Sequence, residues 1–388
     1  MSDGPVASGA TGEPPALADR AVTPPKTEGA RRLEFIDGLR GAAILIVVLG
    51  HYYVRAYEVG LPRWADLLGF GYLGVHLFLI LSGFCVSWAY VGPSARPFAL
   101  ADFASRRALR ILPAYYVALV MAAYLNGSDL GHSELAWQVL THLSMLHNLF
   151  PSTVLGLNAP FWSLALECQL YLCFPLMLWG TRRWGLGVTL GLVVLAQTTF
   201  RLAILRYGTG YNDTTFVLPW GVLGRLSEFA FGMTGAMIVS HGSMQRAPSL
   251  FRSLLPLGIL VLFLCARWSK VHLGISHPLT DAAWSAGFFC VLICASQTGT
   301  VSHRVFSQRW LVNLGVFSYS VYLVHELLLS RIMSRLLMTP MFRAHPLAFM
   351  PVVLVPTFAA GYAFYRLIER PAIELFARRR RARHPANA

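Results

Sequence analysis

Apolar runs of about twenty residues recur along this chain from Ile36 to Leu367, and no other feature narrows its folds so far. A bilayer core about 30 Å thick is crossed by a helix of roughly 20 apolar residues, because each residue rises about 1.5 Å. Composition agrees: 55% of the 388 residues are hydrophobic and 13% are charged, with a mean hydropathy of +0.54. Soluble domains carry roughly 25% charged residues. The runs fall at 36–57, 69–91, 109–125, 161–180, 184–204, 220–240, 252–268, 281–298, 311–333 and 347–367. In lipid every backbone polar group must be satisfied within its own segment, so each run is read as a helix. The expectation is an all-α, polytopic integral membrane protein, a bundle of about ten transmembrane helices.

The net charge of +14 could suggest a nucleic-acid partner, but its distribution excludes that reading. Most of it falls on alternate connections, the pattern in which basic residues mark the cytoplasmic side. With the N-terminus inside, the inner segments carry Arg31 and Arg32, then Arg106, Arg107 and Arg110, then Arg182 and Arg183, Arg304 and Arg309, and Arg378 to Arg381. The long outer connection from Asn126 to Pro160 has no Lys or Arg, while Arg331, Arg335 and Arg343 break the rule. Both termini are therefore expected in the cytoplasm of a protein of the cell (plasma) membrane. Residues 1–30 are rich in Pro, Gly, Ala and Ser and read as a disordered tail; residues 31–376 form the membrane domain, and 377–388 a basic tail in contact with anionic lipid. No cleavable signal peptide is expected. The six cysteines all lie in expected spans without metal-ligand spacing and read as small packing residues, so no metal is expected.

Within the first run, Arg40 and His51 are separated by GAAILIVVLG. Eleven helical steps bring a side chain back to within about 20° of its starting direction, over a rise of about 16 Å, so both lie on one stripe. Ionisable groups in a lipid-embedded helix usually face a bundle interior or a water-filled cavity, and two on one stripe suggest a polar path. The plainer alternative is an Arg reaching the headgroups beside one buried His. Depth sharpens the picture. His51 and Glu167 each lie about six residues from the outer ends of their spans, and His76, Glu228, His325 and Glu326 fall in the same outer half. A His and a Glu meeting there could activate a hydroxyl, with the carboxylate orienting the ring. Alternatively Glu167 is a buried carboxylate paired with Arg201 or Arg225. At the other surface, Arg107 and Arg110 sit one turn apart in DFASRRALRILPAYY, a fork suited to phosphate or pyrophosphate, or an ordinary topology anchor.

Six blocks, in this order, resemble the membrane-bound acyltransferase family 3, which includes polysaccharide O-acetylases and macrolide 3-O-acyltransferases: LEFIDGLRGAAILIVVLGHY, GVHLFLILSGF, RRALRILPAYY, FWSLALECQLYLCFP, FSYSVYLVHE and IERP. The resemblance runs from Leu33 to Pro371, departing at Leu170, where an aromatic is usual before Tyr171. It implies His51 as catalytic base with Arg40 as its partner, Glu167 as a third catalytic group, and Arg107 and Arg110 as the acyl-CoA site. Asp37, His76, Ser82, Tyr322 and His325 become pocket candidates. The implied donor is acetyl-CoA or another acyl-CoA as co-substrate, with no permanently bound cofactor. The implied acceptor is a hydroxyl of a small secondary metabolite such as a macrolide, or of a glycan, with membrane lipid as surroundings. No hydrolase-like domain follows the last span, so the membrane core is expected to do all the chemistry. A transporter is the rival reading; such proteins often show internally related halves, and no such repeat is visible here.

Overall fold

The computed structural model describes residues 33–93, 95–128, 130–207, 220–242, 248–272 and 278–383. The expected tail over 1–30 lies outside these residues, as do the last five of the basic tail. The long helices are α1 (Glu34–Ala56), α2 (Leu73–Trp88), α3 (Leu100–Asn126), α5 (Trp162–Trp184), α6 (Leu186–Tyr207), α7 (Val222–Ser240), α8 (Pro248–His272) and α9 (Pro278–Ala295). A short α4 (His132–Leu143) lies between α3 and α5. After α10 (Val301–Phe306), α11 (Arg309–Val316) and α12 (Ser318–Leu336) come α13 (Pro340–Ala344), α14 (Met350–Phe364) and α15 (Arg370–Arg383). No strand occurs among the described residues. Among the described residues, seven helices are long and apolar enough to cross a membrane, or eight with the bent pair α11–α12. The remaining two expected spans coincide with the shorter apolar stretches Ser253–Trp268 and Thr280–Ala295 inside α8 and α9. The chain is an all-α polytopic membrane protein.

Small residues let the helix backbones touch, as packing in lipid requires. A Cβ on Gly83 of α2 would overlap the carbonyl of Phe229 on α7, and one on Gly232 of α7 the carbonyl of Ile80 on α2. Likewise a Cβ on Gly41 of α1 would overlap the Leu311 carbonyl, and one on Gly315 of α11 that of Asp37. The expected ninth span is broken at Phe317, where α11 and α12 meet at 73°. The bend lays α11 against the Asp37 end of α1 and packs α12 against α14 and α1. The expected second span also starts differently: Arg63–Tyr72 is a 3-10 segment whose Gly71 packs against Gly50 of α1. The final span does not end at its expected boundary, since α14 runs through a π-helical turn, Tyr365–Glu369, into α15.

Burial is inverted relative to a soluble domain. Leu172, Leu176, Val120 and Leu195 are exposed, while Arg201, His76, Glu228 and Asp281 are buried. The buried charges form one network between α2, α6, α7 and α9. Arg201 is paired with Asp281, Arg225 Nη1 lies 3.3 Å from Asp281 and 3.2 Å from Glu228, and His76 lies 2.8 Å from Arg225 Nη1 and 3.3 Å from Glu228. Two guanidiniums balance two carboxylates, which makes the burial of each tolerable. Arg331 and Arg343, which break the charge rule, donate to carbonyls: Arg331 to Leu327 and Leu125, Arg343 to Leu337.

Candidate active site

α1 carries His51 and, one turn further, Arg55 on the same face. α12 packs against α1 and presents Glu326, whose side chain is only 9% exposed. His51 Nδ1 lies 2.7 Å from Glu326 Oε2, and Arg55 Nη2 is bonded to the other oxygen, Oε1. A carboxylate accepts, so Nδ1 of His51 carries the proton and its Nε2 holds a lone pair. His325 stands edge-on to His51, with ring centroids 4.9 Å apart. Its Nδ1 donates to the carbonyls of Tyr322 (2.9 Å) and Val321 (3.2 Å), which leaves Nε2 as a buried lone pair without a hydrogen-bond partner. The ligand atoms of His51, His325 and Glu326 lie within 4.8 Å of one another. The fixed positive charge of Arg55 on Glu326 disfavours a dication there.

The carboxylate beside His51 is thus Glu326 and not Glu167. Both lie at a depth that sequence bookkeeping treats as compatible, but α12 turns its acid toward α1 whereas α5 turns Glu167 toward α2. There Glu167 Oε1 accepts from Ser82 (2.6 Å) and Tyr171 (2.5 Å), and Ser82 and Tyr171 are 2.9 Å apart. A rung connects the two clusters: Ser163 of α5 lies 2.6 Å from the Tyr322 hydroxyl, which also donates to Pro160 O. Ser163 is one turn before Glu167, and Tyr322 one turn before Glu326. Glu167 therefore sits about 12 Å along the bundle axis from Glu326. Nor does Glu167 pair with Arg201 or Arg225, which bond to Asp281 and Glu228. His76 belongs to that separate network and is not part of the His51 cluster.

Beyond Glu167 the column becomes cationic. Arg107 stands over the Tyr171 ring at 5.7 Å, and its Nε is buried without a partner. Arg110, one turn on, interacts electrostatically with Glu369, Cys85, Tyr171 and Glu167. Arg40 reaches the same place, sharing Glu369 and Cys85 with Arg110, and Asp37 interacts with Cys85. Glu369, from the π-helical turn, accepts from Ser320 at 2.5 Å. Arg106 is not part of the fork: it is held by Asp102 and donates to the Tyr90 hydroxyl at 2.6 Å. Arg40 and His51 share a stripe but occupy opposite ends of one polar column, so Arg40 lies in the arginine cluster and does not touch His51.

Sequence reasoning did not single out Arg55, Ser163, Tyr171 or Glu369. Arg55 was signalled only by its four-residue spacing from His51, and Glu369 by lying inside IERP. Each is read as functional only once the partner helix is known.

The connection between α3 and α5 braces the column. Asn158 donates to the Leu323 carbonyl of α12 at 3.0 Å. Within this connection, His142 and His147 are fully buried and stack at 3.9 Å with planes 4° apart. Burial pushes the His142 imidazole down to about 4 and, with the nearby His142, the His147 imidazole down to about 3.

A membrane-embedded helical bundle with an imidazole–carboxylate pair at one end and clustered arginines at the other has the parts of an acyl-transfer enzyme. The acyltransferase domain that defines the acyltransferase 3 family matches residues 33–366, and this chain belongs to that family. It is an O-acyltransferase by this kinship. Acyltransferase MdmB of Streptomyces mycarofaciens is 28% identical over 382 residues, covering 90% of this chain and 94% of that protein. The putative membrane-bound transacylase BcsY of Komagataeibacter xylinus is 31% identical over 319 residues, 75% of this chain and 71% of its own. The putative peptidoglycan O-acetyltransferase YrhL of Bacillus subtilis is 26% identical over 325 residues, 77% of this chain but 49% of that protein. No solved structure matches the chain.

Proposed function

We propose that this protein transfers a short acyl group from acyl-CoA to a hydroxyl of a small secondary metabolite, such as a macrolide. The observation that carries this reading is the single polar column that joins the Arg40, Arg107 and Arg110 cluster to the free Nε2 of His51. Guanidiniums suit the CoA phosphates, and the buried unpartnered Nε of Arg107 is a donor in want of an acceptor. The pantetheine arm would lie past Ser82, Glu167 and Tyr171 with the thioester at His51. Nε2 takes the proton of the acceptor hydroxyl as its oxygen attacks the thioester carbonyl. The carbon–sulfur bond then breaks, and the imidazolium returns the proton to the thiolate, giving ester and free CoA. Glu326 holds the imidazole in the reactive tautomer throughout. The Arg40 end is assigned to the cytoplasm, where CoA is found, and the membrane to the plasma membrane.

A glycan acceptor is the second reading, favoured by kinship with the putative peptidoglycan O-acetyltransferase. Purified protein with radiolabelled acyl-CoA and each acceptor class tests both. We expect transfer that His51→Ala abolishes while the variant still inserts. Normal transfer by that variant removes the base assignment, and absence of any transfer by the native protein returns the transporter reading.

A further inference from the structure

We propose that Arg55 is a positioning residue for the base, holding one oxygen of Glu326 so that this carboxylate stays ionised, orients His51, and yet does not draw a proton onto Nε2. The inference rests on reading His51 as the base. Its foundation is the way the two oxygens of Glu326 are divided: Oε1 is bonded to a guanidinium and Oε2 to an imidazole.

Physical chemistry makes the division consequential. A poorly solvated carboxylate with no fixed counter-charge shifts a neighbouring imidazole toward the protonated form, by about 1–3 pH units for an opposite charge within hydrogen-bonding range. Protonated His51 is no base. A guanidinium stays charged at every accessible pH, so Arg55 offsets the carboxylate without competing for the proton. Its side chain is 41% exposed, at the mouth of the column.

Other groups around the pair are committed elsewhere. His325, on the helix that carries Glu326, donates its Nδ1 proton to backbone carbonyls. On the 3-10 segment packed against α1, Asp66 accepts from Tyr53 at 2.9 Å, and with Glu58 and Arg63 it lines a depression at the outer end of α1. On α2, His76 is held by Arg225 and Glu228. Among the described residues, Arg55 is the cation bonded to Glu326.

The test is the pH dependence of kcat/KM for acyl transfer. In Arg55→Gln the acidic limb should move up by about one pH unit or more, so that activity at pH 6, relative to the variant's own plateau, falls about tenfold. Arg55→Lys should return the limb toward its native position, because charge is what matters. Arg55→Met, which keeps the aliphatic stem, makes the same charge change should the Gln variant fail to accumulate. A limb that stays in place in the neutral variants overturns the proposal, whatever happens to the plateau. Failure of the base assignment is distinguished by His51→Ala: if that variant is dead and the limb still does not move, only the role of Arg55 falls.

Discussion

At the scale of single residues, the reactivity of His51 depends on which of its nitrogens is engaged. Glu326 lies against Nδ1, which leaves Nε2 as the nitrogen for the proposed base role. Replacing Glu326 by Gln keeps the shape but offers Nδ1 an amide donor as readily as an acceptor, which allows the wrong tautomer. We expect kcat to fall by up to about 10⁴-fold, the loss seen when a triad's orienting carboxylate is neutralised. Glu167→Gln, acting about 12 Å along the column, should cost less and should raise the donor KM. Equal losses in kcat from both variants, with an unchanged donor KM, would reverse the assignment. Depth was legible in the sequence and facing was not. Counting residues from span ends put His51, Glu326, His325 and Glu167 in one half of the bilayer. Only the packing of α12 on α1, and of α5 on α2, decides which acid meets the imidazole.

Element by element, the spans themselves were readable because lipid leaves little choice: apolar runs become helices, and ten of ten expected runs contain one. Departures occur where glycine or an aromatic changes the backbone. Gly71 against Gly50 draws a 3-10 segment close to α1, and the break at Phe317 turns α11 across to α1 while α12 continues into the column. The α3–α5 connection is the element with its own pH dependence. His142 and His147 are buried neutral, with values pushed to about 4 and about 3 against an ordinary 6.5. Groups depressed in this way stay neutral in the fold while their unfolded counterparts take up protons. Stability is therefore full above pH 6.5 and is lost progressively as pH falls toward 4. With about 1.4 kcal/mol per pH unit, His142 alone accounts for about 3 kcal/mol. We expect the melting temperature of the protein in detergent to fall between pH 7 and pH 5. In the double variant His142→Phe/His147→Phe, which keeps the stack, that fall should shrink markedly. An equal fall in the double variant places the acid sensitivity elsewhere.

The molecule as a whole is a lipid-facing apolar shell around two polar interiors with different tasks. In the network of Arg201, Arg225, His76, Glu228 and Asp281, opposite charges bond to one another across four helices, which suits a fixed brace. In the column Arg40, Arg107 and Arg110 gather at one end, where the buried Nε of Arg107 has no hydrogen-bond partner, and the lone pairs sit at the other, which suits the proposed passage of an anionic donor toward a base. Cys85 gives this contrast a reporter. It lies beside Arg40, Arg107 and Arg110 in the column and is half-buried, as Cys168 and Cys173 are, whereas Cys265, Cys290 and Cys294 are buried. A variant with Cys85 as its only cysteine should be alkylated by a charged, membrane-impermeant thiol reagent in inside-out vesicles and spared in right-side-out ones. CoA should slow that alkylation, and pantetheine, which lacks the phosphates and 3′-phosphoadenosine, should protect far less, because the arginines recognise phosphate. Arg107→Ala/Arg110→Ala should abolish protection by CoA without blocking alkylation. Equal protection by pantetheine would move phosphate recognition away from this cluster, and labelling from the opposite side would invert the topology on which the direction of transfer depends.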